Sequence, residues 1–130
     1  MKKNKRNEVE AMTIIMQIVS FKLPTIDQVT FTIIPEEEYE DPRDYIESLN
    51  DDKEFIEGFV SSVEANKKEG PWGWCSIKVT ASYKGFEGED YLGYCSYLSE
   101  GDFKRNSGQW EQMKENAYND LIAQLKELAD

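Results

Sequence analysis

The sequence predicts an α+β fold in which an antiparallel sheet of about four strands, formed by two hairpins, is covered by a middle helical segment and a long C-terminal helix. Two patterns predict it. Apolar and polar residues alternate at residues 28–34 and 75–83, whereas apolar residues recur every three or four positions at residues 55–63 and 110–128. The length of 130 residues is enough for one core, so we expect a single domain over residues 1–130.

The chain is strongly acidic and contains no histidine. Aspartate and glutamate total 26 against 15 lysines and arginines, which gives a formal net charge of −11. Such a chain repels nucleic acid and anionic membranes and attracts basic partners. The missing histidine removes the commonest general base and the commonest metal ligand. We therefore expect a protein that is not an enzyme, uses no cofactor or metal, and binds neither nucleic acid directly nor a membrane.

The cysteines and the N-terminus bear on localisation. Cys75 and Cys95 are too few for a disulfide-rich secreted scaffold and lack the spacing of a zinc site, so we expect reduced thiols in a cytoplasm. The start of the chain superficially imitates a signal peptide, but Glu8 and Glu10 interrupt its charged-to-apolar transition. We expect residues 1–8 to be a flexible basic tail, and no apolar run reaches the ~18 residues of a membrane span.

The first hairpin is predicted between this tail and Pro35. Residues 12–21 are rich in β-branched side chains, which predicts a strand from Met12 to Phe21. Residues 28–34 alternate apolar side chains with threonines, which predicts a second strand that Pro35 ends.

Acidic residues are concentrated at residues 36–57, which we call the acid stretch. It holds eleven acidic residues against Arg43 and Lys53, a net charge of −9 over twenty-two positions. Asp41 followed by a proline has the pattern of a helix start, and we expect a short helix to about Leu49.

A second helix is predicted directly afterwards, which Asn50, Asp51 and Asp52 can cap. Its apolar residues recur at spacings of one, three and four, which predicts a buried stripe. The members of this stripe are Phe55, Ile56, Phe59, Val60 and Val63. Glu54 and Glu57 lie off the stripe and are expected to face solvent. Lysines, a glycine and a proline at residues 66–71 end the helix.

The segment 72–129 is predicted to form the second hairpin and the C-terminal helix. The strand at 75–83 returns through a short loop, for which Gly85 and Gly88 supply positive φ, into an aromatic strand. Ser99 is expected to cap a single turn that buries Phe103. Ser107 is expected to cap the last helix, whose apolar stripe lies across the hairpin. This stripe consists of Trp110, Met113, Ala117, Leu121, Leu125 and Leu128.

The acid stretch is the principal candidate site. Dense carboxylates can stand where phosphates would sit, since duplex DNA carries about one charge per ~1.7 Å of axis and a helix rises ~1.5 Å per residue. The alternative is a solvated face that only keeps the protein soluble. Calcium binding is a third option, which is disfavoured because no Asp-x-Asp-x-Asp-Gly loop with a closing Glu is present. The candidate partner-binding residues are Glu36, Glu37, Glu38, Glu40, Asp41, Asp44, Asp51, Asp52, Glu54 and Glu57.

Aromatic residues of the hairpin supply an alternative site, a small-ligand pocket lined by Trp72, Trp74 and Tyr94. Ordinary packing within the sheet explains the same residues. Stacking of single-stranded bases is disfavoured, because the hairpin lacks a positive groove. Cys75 and Cys95 share parity and are interpreted as two small buried side chains that could face each other.

The C-terminal half also carries a resemblance, which rests on a tryptophan-rich strand, a DYLG-type return strand and a closing helix. The residues concerned are Trp72-Gly73-Trp74-Cys75, the run from Asp90 to Tyr97, Asp102-Phe103, Met113, Ala117 and Asp120-Leu121. Over residues 70–125 the chain resembles small phage- and prophage-encoded proteins of unassigned function. This resemblance implies an accessory protein in the cytoplasm of a bacterial host and supplies no catalytic residues. An anti-CRISPR role follows from it only by analogy.

Together these observations predict a non-enzymatic, phage-type inhibitor that occupies a basic, nucleic-acid-binding surface of a host defence protein such as a CRISPR effector. One alternative is a module that binds or sequesters a small molecule, such as a nucleotide, in the Trp/Tyr pocket. Another is a self-assembling phage structural or accessory protein, for which residues 12–21 would offer a strand edge. The sequence leaves the oligomeric state open.

Overall fold

A computed structural model describes residues 23–129 and confirms the α+β class. Its elements in chain order are a 3-10 turn at Ile26–Gln28, β1 at Thr30–Glu37, α1 at Pro42–Leu49, α2 at Lys53–Lys67, a 3-10 turn at Pro71–Gly73, β2 at Cys75–Tyr83, β3 at Phe86–Cys95, α3 at Glu100–Asn106 and α4 at Trp110–Ala129. Within the described residues, three antiparallel strands form a sheet in the order β1-β2-β3.

Two predictions lie outside the described residues: the basic tail 1–8 and the first strand of the first hairpin, Met12–Phe21. The sheet is therefore shown with three strands, and the fourth stays a prediction. No helix among residues 23–129 is long and apolar enough to cross a bilayer.

Contacts along the chain group it into two compact units. Within the described residues, the first unit comprises residues 23–32, 80–90 and 114–129, and the second comprises residues 33–79 and 91–113. The single domain expected from chain length stays a prediction.

In the first unit, the tip of the β2–β3 hairpin is a two-residue turn. Lys84 has φ 49° and Gly85 has φ 86°, the left-handed pair that a type I′ turn requires. Gly88 does not lie in the loop as predicted; it is a buried residue of β3. A side chain there would collide with the backbone of α4 at Ala117 and Leu121, so glycine is needed for close approach of helix and strand.

Helix α4 confirms the middle of the predicted apolar stripe but not its ends, since Trp110 is half-buried and Leu128 is 42% exposed. Met113, Ala117, Leu121 and Leu125 are 0–2% exposed. The predicted cap was wrong: Ser107 is the C-cap of α3, and its Oγ accepts the N–H of Gln109 before α4 begins. A tertiary hydrogen bond also holds α4 in place: its Tyr118 hydroxyl donates to the carbonyl of Pro24 at 2.6 Å.

Strand β1 shows the predicted alternation, with Phe31 and Ile33 half-buried and the threonines beside them more exposed. The prediction that Pro35 ends the strand was wrong, because β1 continues to Glu37. In the described sheet β1 has a strand on one side only, and at such a position a proline removes no ladder hydrogen bond if its nitrogen faces outward.

In the second unit, the core begins with β2. Cys75, Ile77 and Val79 are fully buried, as the period of two predicted, and Ser76 and Lys78 between them are half-buried. Phe103 of α3 is also fully buried, as expected. Ser99 caps α3 by accepting the N–H of Asp102, whose carboxylate in turn accepts the N–H of Leu98.

Candidate functional site

The acid stretch lies in the second unit and runs over three elements: the end of β1, all of α1 and the start of α2. Nine of its ten candidate residues are exposed, and the tenth, Glu38, is half-buried. The structure therefore presents the predicted carboxylates to solvent. They lie on three elements and do not follow one helix axis, so the comparison of helical rise with the charge spacing of DNA does not apply.

Two of the candidate carboxylates hold the local fold together. Asp41 accepts the N–H of Arg43 at 2.9 Å and that of Asp44 at 3.3 Å, and Pro42 follows it as the first helical residue. Asp52 does the same for α2, accepting from Glu54 at 3.0 Å and Phe55 at 3.3 Å. Both predicted caps are thus confirmed, and both carboxylates favour the positive end of a helix dipole.

One candidate is neutralised by a cation. Arg43 donates two hydrogen bonds to Glu57, at 2.6 and 3.0 Å, and lies 3.7 Å from Glu47. The Arg43 hydrogen bonds and charge lower the pKa of Glu57, and Glu57 raises the pKa of Arg43. Among residues 23–129, the other nine candidates form no ion pair with a lysine or arginine. The acid stretch therefore keeps most of its charge.

An aromatic cluster lies beside the acid stretch in the same unit. Tyr45 of α1 stacks on Tyr94 with ring centroids 4.0 Å apart, and it also contacts Phe59 at 6.3 Å and Trp74 at 5.8 Å. Trp74 is 8% exposed, and its indole N–H donates to the carbonyl of Glu40 at 2.7 Å. This cluster fixes the segment between β1 and α1 to the hairpin.

Tyr94 has an unusual backbone for a bulky residue, with φ 56°. Burial along β3 shifts by one position between Gly88 and Cys95, which is the signature of a β-bulge at this end of the strand. The Tyr94 N–H donates to Glu38 Oε1 at 3.1 Å. A hydrogen bond to the Glu40 carboxylate and the negative charge of that group raise the pKa of the Tyr94 phenol. Two acidic candidates thus stabilise this strained residue.

The predicted ligand pocket is brought together only in part. Trp74 and Tyr94 belong to one cluster, with ring centroids 6.0 Å apart. Trp72 instead stacks on Phe103 at 6.2 Å, in a second cluster with Tyr97. Since Tyr45 covers one face of Tyr94 and Trp74 is buried, neither ring offers two free faces to a ligand.

Both cysteines are free and buried. Burial, the neighbouring thiol and Glu38 raise the pKa of Cys75 to about 12, and burial and Glu38 raise that of Cys95 to about 11. The reactive thiolate is therefore scarce at neutral pH. Within residues 23–129 no group of three or more Cys, Asp or Glu side chains is arranged to hold a metal ion.

The sequence analysis missed three large apolar side chains that the acid stretch exposes. Tyr39 is 87% exposed, Leu49 65% and Phe55 51%. Phe55 was wrongly placed in the buried stripe, of which Ile56 and Val63 are buried. At about 100° per residue, Phe55 lies at the edge of the predicted apolar arc, and this position was the available signal.

Comparisons with protein families, curated proteins and solved structures find no match to this chain.

Proposed function

We propose that the protein is a non-enzymatic binding protein whose acid stretch occupies a basic, nucleic-acid-binding surface of a bacterial host protein. The observation that carries this proposal is the exposure of nine of the ten candidate carboxylates, of which Glu57 alone pairs with a cation among residues 23–129. A charge excess that its own lysines do not neutralise is available to a partner.

The partner is a protein that normally holds phosphates, such as a CRISPR effector or another defence protein. Such surfaces are lined by lysine and arginine and bind phosphate groups largely through charge. Exposed carboxylates compete for the same cations. The phage-type setting, in the cytoplasm of a bacterial host, comes from the resemblance of residues 70–125 and is part of the proposal.

Two charge-matched variants test it. In the first, Glu36, Glu37, Asp44, Asp51 and Glu54 become the corresponding amides. In the second, the same change is made at Asp27, Glu69, Glu87, Glu115 and Glu127, which are exposed residues outside the acid stretch. Each variant moves the net charge from −11 to −6, and neither changes a helix cap, the Arg43 pair or a carboxylate that bonds Tyr94.

The measurement is capture from a bacterial lysate on immobilised protein, followed by elution with duplex DNA and identification of the released proteins. We expect the wild type and the second variant to retain DNA-releasable, nucleic-acid-binding proteins, and the first variant to lose them. Equal capture by both variants, or captured proteins that DNA does not release, would contradict the proposal.

The small-molecule alternative has weaker support in the geometry, since Tyr45 covers one face of Tyr94 and Trp72 lies in the other ring cluster. The acidic Glu38 and Glu40 beside Tyr94 also oppose an anionic nucleotide. Thermal unfolding with a nucleotide panel separates the two functions, because a ligand at 100 times its dissociation constant stabilises a protein by ~2.7 kcal/mol. Stabilisation of that size by a nucleotide would favour the small-molecule alternative.

A further inference from the structure

The connection between α1 and α2 is bordered by two apolar side chains that the fold leaves in solvent. Leu49 is the last residue of α1 and is 65% exposed, and Phe55 is the third residue of α2 and is 51% exposed. Only residues 50–52 separate the two helices, so the two exposed side chains border the same short connection. Side chains of this size contribute strongly to protein interfaces once they are buried.

Gly58 is a second feature of this surface that the fold does not explain. It is exposed, lies inside α2 three residues after Phe55, and therefore shares its helical face. Glycine destabilises a helix interior relative to alanine. A Cβ at this position would meet no atom of the described residues within 4 Å, so packing within that part of the chain does not require a glycine. Its bare backbone instead leaves room for close approach from outside.

The charges around these residues indicate what approaches. Asp51 lies in the connection, four residues before Phe55, and Glu54 is the residue next to Phe55; both carboxylates are exposed and form no ion pair among residues 23–129. A partner that buries Phe55 must therefore bring cations to the border of its own apolar side chains. An amphipathic helix with lysine or arginine beside its apolar stripe has this arrangement on a single element, and a helix can also pack closely against a glycine.

We infer that the exposed face around Leu49, Phe55 and Gly58 is a docking site for a basic amphipathic helix of the partner protein. This inference rests on the proposed function and adds to it: the carboxylates select a basic partner, and the apolar side chains distinguish a basic helix from a surface that binds only through charge. Binding then has a component that persists when salt screens the charges.

The test uses two defined probes, a helix-forming peptide of leucine and lysine about 14 residues long, and an oligolysine with the same number of lysines. Binding is measured by fluorescence anisotropy at ~50 and ~500 mM salt. We expect the wild type to bind the leucine–lysine helix at least about tenfold more tightly than oligolysine, since burying one large side chain supplies that factor. The preference should persist at the higher salt concentration.

Matched variants locate the contact. Leu49→Ser with Phe55→Ser should abolish the preference, whereas Leu98→Ser with Tyr91→Ser, which removes side chains of similar exposure elsewhere in the second unit, should keep it. Gly58→Gln adds a good helix former, so it should raise the unfolding temperature and still weaken binding of the helix peptide. A variant that is more stable yet binds less cannot be explained by misfolding.

Failure of this inference is distinguishable from failure of the proposed function. If the wild type binds both peptides equally, or if the two double variants behave alike, the docking site is refuted while salt-sensitive oligolysine binding still supports the charged surface. If the five-amide variant of the acid stretch binds oligolysine like the wild type, the proposed function fails as well.

Discussion

Helix α4 and the acid stretch differ in how far their large apolar side chains are buried. Along α4, Ala117, Leu121 and Leu125 are fully buried. In the acid stretch, Leu49 and Phe55 stay in solvent among carboxylates. The first region buries these apolar side chains in the core, whereas the second leaves Leu49 and Phe55 exposed, as the proposed docking site requires.

The glycines of the two regions show the same contrast. Gly88 of β3 is required because α4 approaches its backbone, and Gly58 of α2 faces open space. A residue that packing demands is explained by the fold. A residue that weakens its own helix without such a demand points to a role outside the fold.

The largest expected effect comes from truncating one apolar side chain in each region. Leu121→Ala should lower the free energy of unfolding by about 2–5 kcal/mol, because it opens a cavity in a fully buried site. Phe55→Ala should lower it by less than about 1 kcal/mol, because half of the side chain is already in solvent. Urea unfolding measures both values, and a large loss for Phe55→Ala would show that it belongs to the core.

The next largest effect is the change in stability when a glycine is replaced by alanine, and it has opposite signs in the two regions. Gly88→Ala should destabilise the protein by about 1–3 kcal/mol, since helix and strand must move apart. Gly58→Ala should stabilise it by about 1 kcal/mol, since the helix gains a better former at no steric cost. Thermal unfolding of the two variants checks the signs, and destabilisation by Gly58→Ala would contradict the role assigned to this glycine.

The contrast also explains how far the sequence could predict the structure. Local rules were sufficient for Asp41 and Asp52, because a cap depends on residues within one helical turn. They were sufficient for the middle of the α4 stripe, from Met113 to Leu125, because its apolar residues recur every four positions. Gly88 was misplaced because its constraint comes from a helix thirty residues away, and Phe55 because a broad apolar arc does not reveal which edge is covered.

For the candidate site, composition located the acid stretch but could not divide its carboxylates by role. The pair between Glu57 and Arg43 and the hydrogen bond from the Tyr94 N–H to Glu38 become visible only in the folded structure. Tyr45 had no sequence signal that would connect it with Trp74 and Tyr94, since these contacts join distant parts of the chain.

The smallest expected effect is on the pH dependence of the unfolding temperature. Arg43 lowers the pKa of Glu57, so this pair stabilises the folded state above the ordinary glutamate pKa, and the stabilisation is lost as pH falls through the lowered value. The unfolding temperature of Arg43→Gln should therefore fall less between pH ~5 and ~3 than that of the wild type. An identical fall in both proteins would show that the pair does not contribute.

The central claim is that the placement of negative charge, and not its total, makes the acid stretch a binding surface. The most direct test is the rate of association with fluorescent oligolysine at ~50 and ~500 mM salt for the wild type and the two five-amide variants of equal net charge. We predict that the acid-stretch variant associates more slowly than its charge-matched control and with a weaker salt dependence. Equal rates in the two variants would contradict the claim.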